Sequence, residues 1–101
     1  MPSRGFPALV AEVLDPYQVI INRGSNDQVK LDERFLIYEL TKEIVDPETH
    51  ESLGRLQVSK GTGRVVQVQE KMAVIYSDRT DFDDDNVPFN EPKRGDMVKY
   101  I

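Results

Sequence analysis

A chain of 101 residues with 39% hydrophobic and 31% charged side chains is one domain's length. It can bury roughly 60–70% of the surface its unfolded form exposes, enough for a single core. No apolar run nears the roughly 18 residues of a membrane-crossing helix, so membrane insertion is not expected, and the absence of cysteine excludes a disulfide framework and a thiolate metal site. The net charge of −5 sits in one place, because Asp78 to Glu91 holds six acids against Arg79 while the remaining 87 residues balance; such a field disfavours a phosphate backbone as partner but leaves room for a local basic groove.

The first residues carry one basic side chain, Arg4, and Glu12 and Asp15 interrupt the only apolar candidate for a leader, so no signal peptide is expected. On that reading a complete chain belongs in the cytoplasm, and a domain of an exported precursor in the periplasm. Ala8 to Leu14 alternates as a strand, with Leu9, Ala11 and Val13 on one face and Val10, Glu12 and Leu14 on the other. Asp15-Pro16 then makes a tight turn, since proline lacks an amide donor and drives its predecessor to extended geometry. Residues 8 to 22 therefore read as a hairpin.

The second strand leads into a polar link with Gly24, Asn26 and Asp27, and the chain resumes as a strand from Arg34 to Glu43. There Phe35 and Ile37 share one face and Leu36, Tyr38 and Leu40 the other, and apolar character on both sides predicts a central strand. Asp46 to Ser52 is dense in turn formers and predicts a hairpin tip. Leu53 to Gln69 alternates on either side of Gly61 and Gly63, a pair that marks a bulge or bend; beyond it Val66 and Val68 alternate with Gln67 and Gln69. Glu70-Lys71 turns the chain into Met72 to Ser77, giving a hairpin over 64 to 77. Asp78 to Lys93 breaks every period and reads as one long acidic loop. Met97 to Ile101 is a last strand, expected to close a barrel beside the first, and no helix is expected.

The phrase Ile21-Asn22-Arg23-Gly24, then Asp27-Gln28-Val29-Lys30-Leu31-Asp32-Glu33-Arg34-Phe35 and a strand with Tyr38, resembles the C-terminal domain of the flagellar assembly protein T family. Other small bacterial envelope modules share it as I-N-x-G, a spacer and G-V-x-x-G-D-x-F. Asp46-Pro47-Glu48-Thr49, Leu53-Gly54-Arg55-Leu56 and Gly63-Arg64-Val65-Val66 continue the likeness, which covers roughly residues 8 to 77. The resemblance implies a small β-barrel used for assembly contacts, with no catalytic residue to carry over. This chain departs from the phrase at Gln28 and at Asp32-Glu33, where glycine would supply a positive φ cheaply.

Candidate sites divide into chemistry and contact. His50, the only histidine, has no second histidine or cysteine to join in a zinc site or triad and reads as an exposed turn residue. Asp81 to Asn86 places oxygen ligands at alternate positions, but Asn86 and Pro92 stand where a calcium loop needs glycine and glutamate; a solvated acidic loop is the favoured reading. Gly61-Thr62-Gly63-Arg64 lacks the residues of a phosphate cradle and reads as a bulge. No metal, cofactor or catalytic residue is expected. Phe82 and Phe89 in the acidic loop either tuck over the barrel end or anchor a partner. Tyr17 and Tyr38, with Tyr76, Tyr100 and scattered basic residues, are the remaining partner-binding candidates.

The expected fold is all-β, a five- or six-stranded SH3-like or OB-like barrel of successive hairpins in a single domain spanning residues 1–101. The expected function is a non-enzymatic protein-interaction or assembly module of bacterial type. It would bind a protein or a second copy of itself through loops or by β-augmentation at an open strand edge. The alternative is an OB-like domain for single-stranded nucleic acid.

Overall fold

The computed structural model describes residues 5–78 and 88–101. Eight strands occur in chain order: β1 (Ala8–Asp15), β2 (Gln18–Ile21), β3 (Arg34–Leu40), β4 (Ile44–Val45), β5 (Ser52–Gly54), β6 (Gln57–Val68), β7 (Ala73–Ser77) and β8 (Met97–Tyr100). Six close into an antiparallel barrel in the order β1-β2-β7-β6-β3-β8, and β4 and β5 form a separate two-stranded ribbon. The all-β barrel expected from the alternation is present, and β8 closes it between β1 and β3. The turn at Pro16 is held by Asp15, whose carboxylate accepts the Tyr17 amide at 2.8 Å and the Gln18 side-chain amide at 2.9 Å.

The link after β2 does more than turn the chain. β2 and β3 are not neighbours in the barrel, because β7 and β6 lie between them, so residues 22–33 cross the end of the β6–β7 hairpin. The crossing is stitched down by Ser25 and Asn26, whose amides donate to the Gln69 and Glu70 carbonyls at 2.8 and 3.1 Å. Val65 completes it, accepting from Asp32 and donating to Glu33, both at 2.9 Å. A short 3-10 turn at Ser25–Asp27 is closed by the buried Asp27 carboxylate, which accepts the Gly24 amide at 3.1 Å. Gly24 is obligatory here, since a Cβ would lie 2.1 Å from the Gln69 carbonyl oxygen. Gln28 and Asp32, where the sequence reading expected a positive φ that glycine would supply cheaply, both sit in the left-handed region with φ of 67°.

Phe35, Ile37, Ile21, Val19, Ile75 and Val98 are fully buried and form the centre of the core. Each contributes roughly 1.5–3 kcal/mol by leaving water. Phe6 covers the core from outside the strands, stacking on Phe35 at 5.4 Å between ring centroids and lying 4.6 Å from Tyr100. Arg23, itself buried, clamps that entry segment: its Nε and Nη2 donate to the Gly5 carbonyl at 3.0 and 2.9 Å.

Strict two-residue alternation fails at five places; Leu14 in β1 and Leu53 in β5 are the extra residues at two of them, and the other three reset which side chains the barrel takes inward or mark its rim. Ala11 is an extra residue in β1 between Val10 and Glu12. The core therefore takes Ala8 and Val10 from one predicted face and the half-buried Val13 from the other, while Leu9 and Leu14 are exposed. Val66 is an extra residue opposite β7, so the inward pair is Val65 and Val68 rather than Val66 and Val68. The third bulge, at Lys60 between the partners of Ile37 and Tyr38, lies beside Gly61 as the two glycines suggested. Two boundaries also move: the strand predicted over Arg34 to Glu43 ends at Leu40, and the run from Leu53 to Gln69 divides into β5 and β6.

Candidate interaction site

β3 runs out of the barrel and β6 runs back into it. Beyond the Lys60 bulge their pairing continues through Glu39 with Val58 and Leu40 with Gln57. Thr41 then pins Leu56 twice, donating its amide to the Leu56 carbonyl and accepting the Leu56 amide at its hydroxyl, both at 2.9 Å. The β4–β5 ribbon carries the hairpin on to a tip at residues 46–50, where Asp46 organises the turn by accepting the Glu48 amide at 2.8 Å and the His50 amide at 2.9 Å. The result is an arm projecting from the barrel, in a molecule that extends 48 × 38 × 21 Å.

No residue from Glu39 to Ser59 is buried, yet six of them are large aliphatics: Leu40, Ile44, Val45, Leu53, Leu56 and Val58. Leu53 is the most exposed large hydrophobic residue among those described, at 66%. A two-stranded ribbon without a packed face is marginal in water, and exposed large aliphatics are a feature that interaction surfaces share. β4 and β5 each pair only with one another, so both ribbon edges carry open backbone groups. Every barrel strand, by contrast, has two neighbours, which removes the barrel itself as a site for strand addition. These aliphatics flank the turn run in the sequence, where alternation assigns Leu40, Leu53, Leu56 and Val58 to strands and leaves Ile44 and Val45 unassigned, so their exposure does not show.

Below the arm lies a second arrangement, occupied by the protein's own chain. Pro88 and Phe89 pack directly on β6 at Gly61 and Gly63. A Cβ on Gly61 would meet the Pro88 carbonyl oxygen at 2.7 Å, and one on Gly63 would meet the Tyr76 carbonyl oxygen at 2.5 Å and the Phe89 ring at 3.0 Å. Asn90 donates its amide to the Lys60 carbonyl at 2.7 Å, Asp78 to the Thr62 carbonyl at 3.0 Å, and Phe89 to the Ser77 hydroxyl at 2.9 Å. The Asp78 carboxylate accepts from Thr62 at 2.6 Å and pairs with Arg34 at 2.8 Å. The Gly61-Thr62-Gly63 run is thus both a bulge and a seat for the returning loop.

The residues named from sequence are not brought together. Phe89 is half-buried against the core, the tucked arrangement of the two expected. Phe82 and the oxygen-rich run Asp81 to Asn86 lie outside the described residues. Tyr38 is only 7% exposed, with the Lys99 ammonium 5.1 Å from its ring centroid, so burial leaves it little to offer as an anchor. Tyr17 is exposed at the β1–β2 turn, beside Ser77. Tyr100 packs on Phe6 and Phe35. His50 is an exposed tip residue with φ of 63°. A shallow, mainly apolar groove of about 640 Å³ opens between Ala11, Ile20 and Met72, edged by Asn22, Gln69 and Lys71. Among the described residues no group of three acidic or imidazole side chains is placed to hold a metal, and no helix is long and apolar enough to cross a membrane.

No protein-family model matches the chain, and no curated protein matches it in sequence.

Proposed function

We infer that this chain is a non-enzymatic protein-interaction or assembly module of bacterial type, with an SH3-like or OB-like barrel serving as the platform for a β-hairpin arm that engages a protein partner. One observation carries the reading: from Glu39 to Ser59 no side chain is buried while six large aliphatics are exposed. Ordering such a segment costs conformational entropy that its own contacts do not offset, and a partner surface supplies the missing burial. The likeness of the Ile21 to Tyr38 phrase to assembly domains points the same way.

The test is a shortened chain in which residues 42–55 are replaced by Asn-Gly. Thr41 and Leu56 already face each other across the hairpin, so a two-residue turn closes it without disturbing the barrel. The shortened protein should keep its far-ultraviolet circular dichroism and melting temperature, and should lose the protein assembly that the full chain forms in cross-linked extracts of its source. Retention of the same assembly by the shortened chain, or salt-sensitive binding of single-stranded oligonucleotide by the full one, would overturn the reading.

A further inference from the structure

We propose that Lys60 and Asp96 condense to an intramolecular amide, the Nζ of one bonded to the Cγ of the other, with Glu39 as the proton carrier. Three adjacent strands bring these residues together. Tyr38 of β3 pairs with Ser59 of β6 on one side and with Met97 of β8 on the other. Lys60 is the extra residue beside Ser59, Asp96 directly precedes Met97, and Glu39 directly follows Tyr38. The lysine nitrogen meets both carboxylates, Glu39 Oε2 at 3.4 Å and Asp96 Oδ2 at 3.8 Å.

Both reacting side chains are withdrawn from solvent and held in place. The Lys60 side chain is 11% exposed and that of Asp96 7%, whereas Glu39 at 52% opens to water. The Lys60 carbonyl accepts the Asn90 amide at 2.7 Å, and its Nζ donates to the Glu91 carbonyl at 3.1 Å. Asp96 is fixed at three atoms: its amide donates to the Lys93 carbonyl at 3.1 Å, its carbonyl accepts from Val10 at 2.8 Å, and its Oδ2 accepts the Lys93 amide at 2.8 Å. Its Oδ1 accepts no hydrogen bond among the described residues and is the oxygen left to depart. As an ion pair the cluster is poorly seated. Charge-assisted N–H···O contacts close to about 2.7–2.9 Å, as Arg34 and Asp78 do at 2.8 Å, and neither Lys60 contact does. Withdrawing charges from water without such contacts is costly, and condensation removes two of them.

The step balances without a co-reactant. A proton passes from the Lys60 ammonium to the Asp96 carboxylate, and the freed Nζ lone pair attacks Cγ to form the Nζ–Cγ bond. Glu39 takes a second proton from the nitrogen and returns it to the departing oxygen; the Cγ–Oδ1 bond breaks, and one water leaves for one amide gained. Free amine and acid condense poorly in water, but groups fixed in contact act at an effective concentration of about 10⁵–10⁸ M. The product ties the β6 bulge to the start of β8 and closes the chain between them, β7 included, into a covalent ring. It is a single event within the chain, compatible with a non-enzymatic role.

Intact-mass spectrometry of the full chain tests the condensation. The wild-type protein should weigh one water less than its sequence, and trypsin should spare Lys60 and release a branched peptide containing Lys60 and Asp96. Lys60→Arg keeps a cation between the carboxylates but offers no amine, and should show the full sequence mass. Glu39→Gln should condense about 100-fold more slowly and be isolated largely at full mass. Circular dichroism verifies each fold. Full mass in a folded wild-type chain, a water loss that persists in Lys60→Arg, or complete condensation in Glu39→Gln overturns the proposal.

Discussion

The two halves of the β3–β6 hairpin are built from one pair of strands and meet opposite fates. Inside the Lys60 bulge, Phe35, Ile37 and Val65 are at most 1% exposed; outside it, Leu40, Leu56 and Val58 are 37% exposed or more. Composition does not distinguish them, since both halves are rich in aliphatics. What differs is the number of layers: the inner half has a closed ring to fold around it, and the outer half has only its own two strands. The inner half is therefore packed into the core, and the outer half leaves its apolar side chains exposed.

Mutations at matched positions sharpen this contrast most directly. Phe35→Ala should cost about 3–5 kcal/mol in urea denaturation, as large-to-small changes in a packed core do, whereas Leu53→Ala should change stability by less than about 0.5 kcal/mol. Comparable losses at both positions would mean that the arm is packed in solution, and the contrast would collapse. A smaller effect is expected at the boundary between the halves. Gly63→Ala forces a methyl group against the Tyr76 carbonyl and the Phe89 ring and should cost about 1–3 kcal/mol in urea denaturation. A loss below about 0.5 kcal/mol would show that the Phe89 ring and the β6 backbone are not held in close contact.

The crossing link offers a change of opposite sign. Gln28 is in the left-handed region, where a side chain is strained and glycine is not, so Gln28→Gly should raise stability by about 0.5–1 kcal/mol. A loss of stability there would mean that the Gln28 side chain contributes more than its backbone strain costs. The smallest effect is electrostatic. Burial, and secondly the charge of Glu33, raise the Tyr100 hydroxyl above its ordinary value of 10.0. The unfolded chain thus loses this proton first, and the associated stability is complete below pH 10 and declines as the pH rises through the folded value. Tyr100→Phe should flatten the alkaline fall in melting temperature; an identical fall in the variant would assign it to other groups.

Alternation of apolar and polar residues, with turns at Asp15-Pro16, at Asp46 to Ser52 and at Glu70-Lys71, was enough to determine an all-β chain of hairpins and to place β8 beside β1, because strand periodicity and turn chemistry are local properties. The glycines at 61 and 63 announced their bulge for the same reason, and the likeness of the crossing phrase to one with glycine marked Gln28 and Asp32, both of which have positive φ. Which side chains face inward was settled only in three dimensions. The extra residues at Ala11 and Val66 each reverse the parity of the strand beyond them, and a bulge of that kind depends on the neighbouring strand. The same holds for the candidate site. Leu40 and Leu56 look like barrel residues when read along the chain, and they are exposed because the six-stranded ring closes before the hairpin ends, leaving them with no layer to pack against.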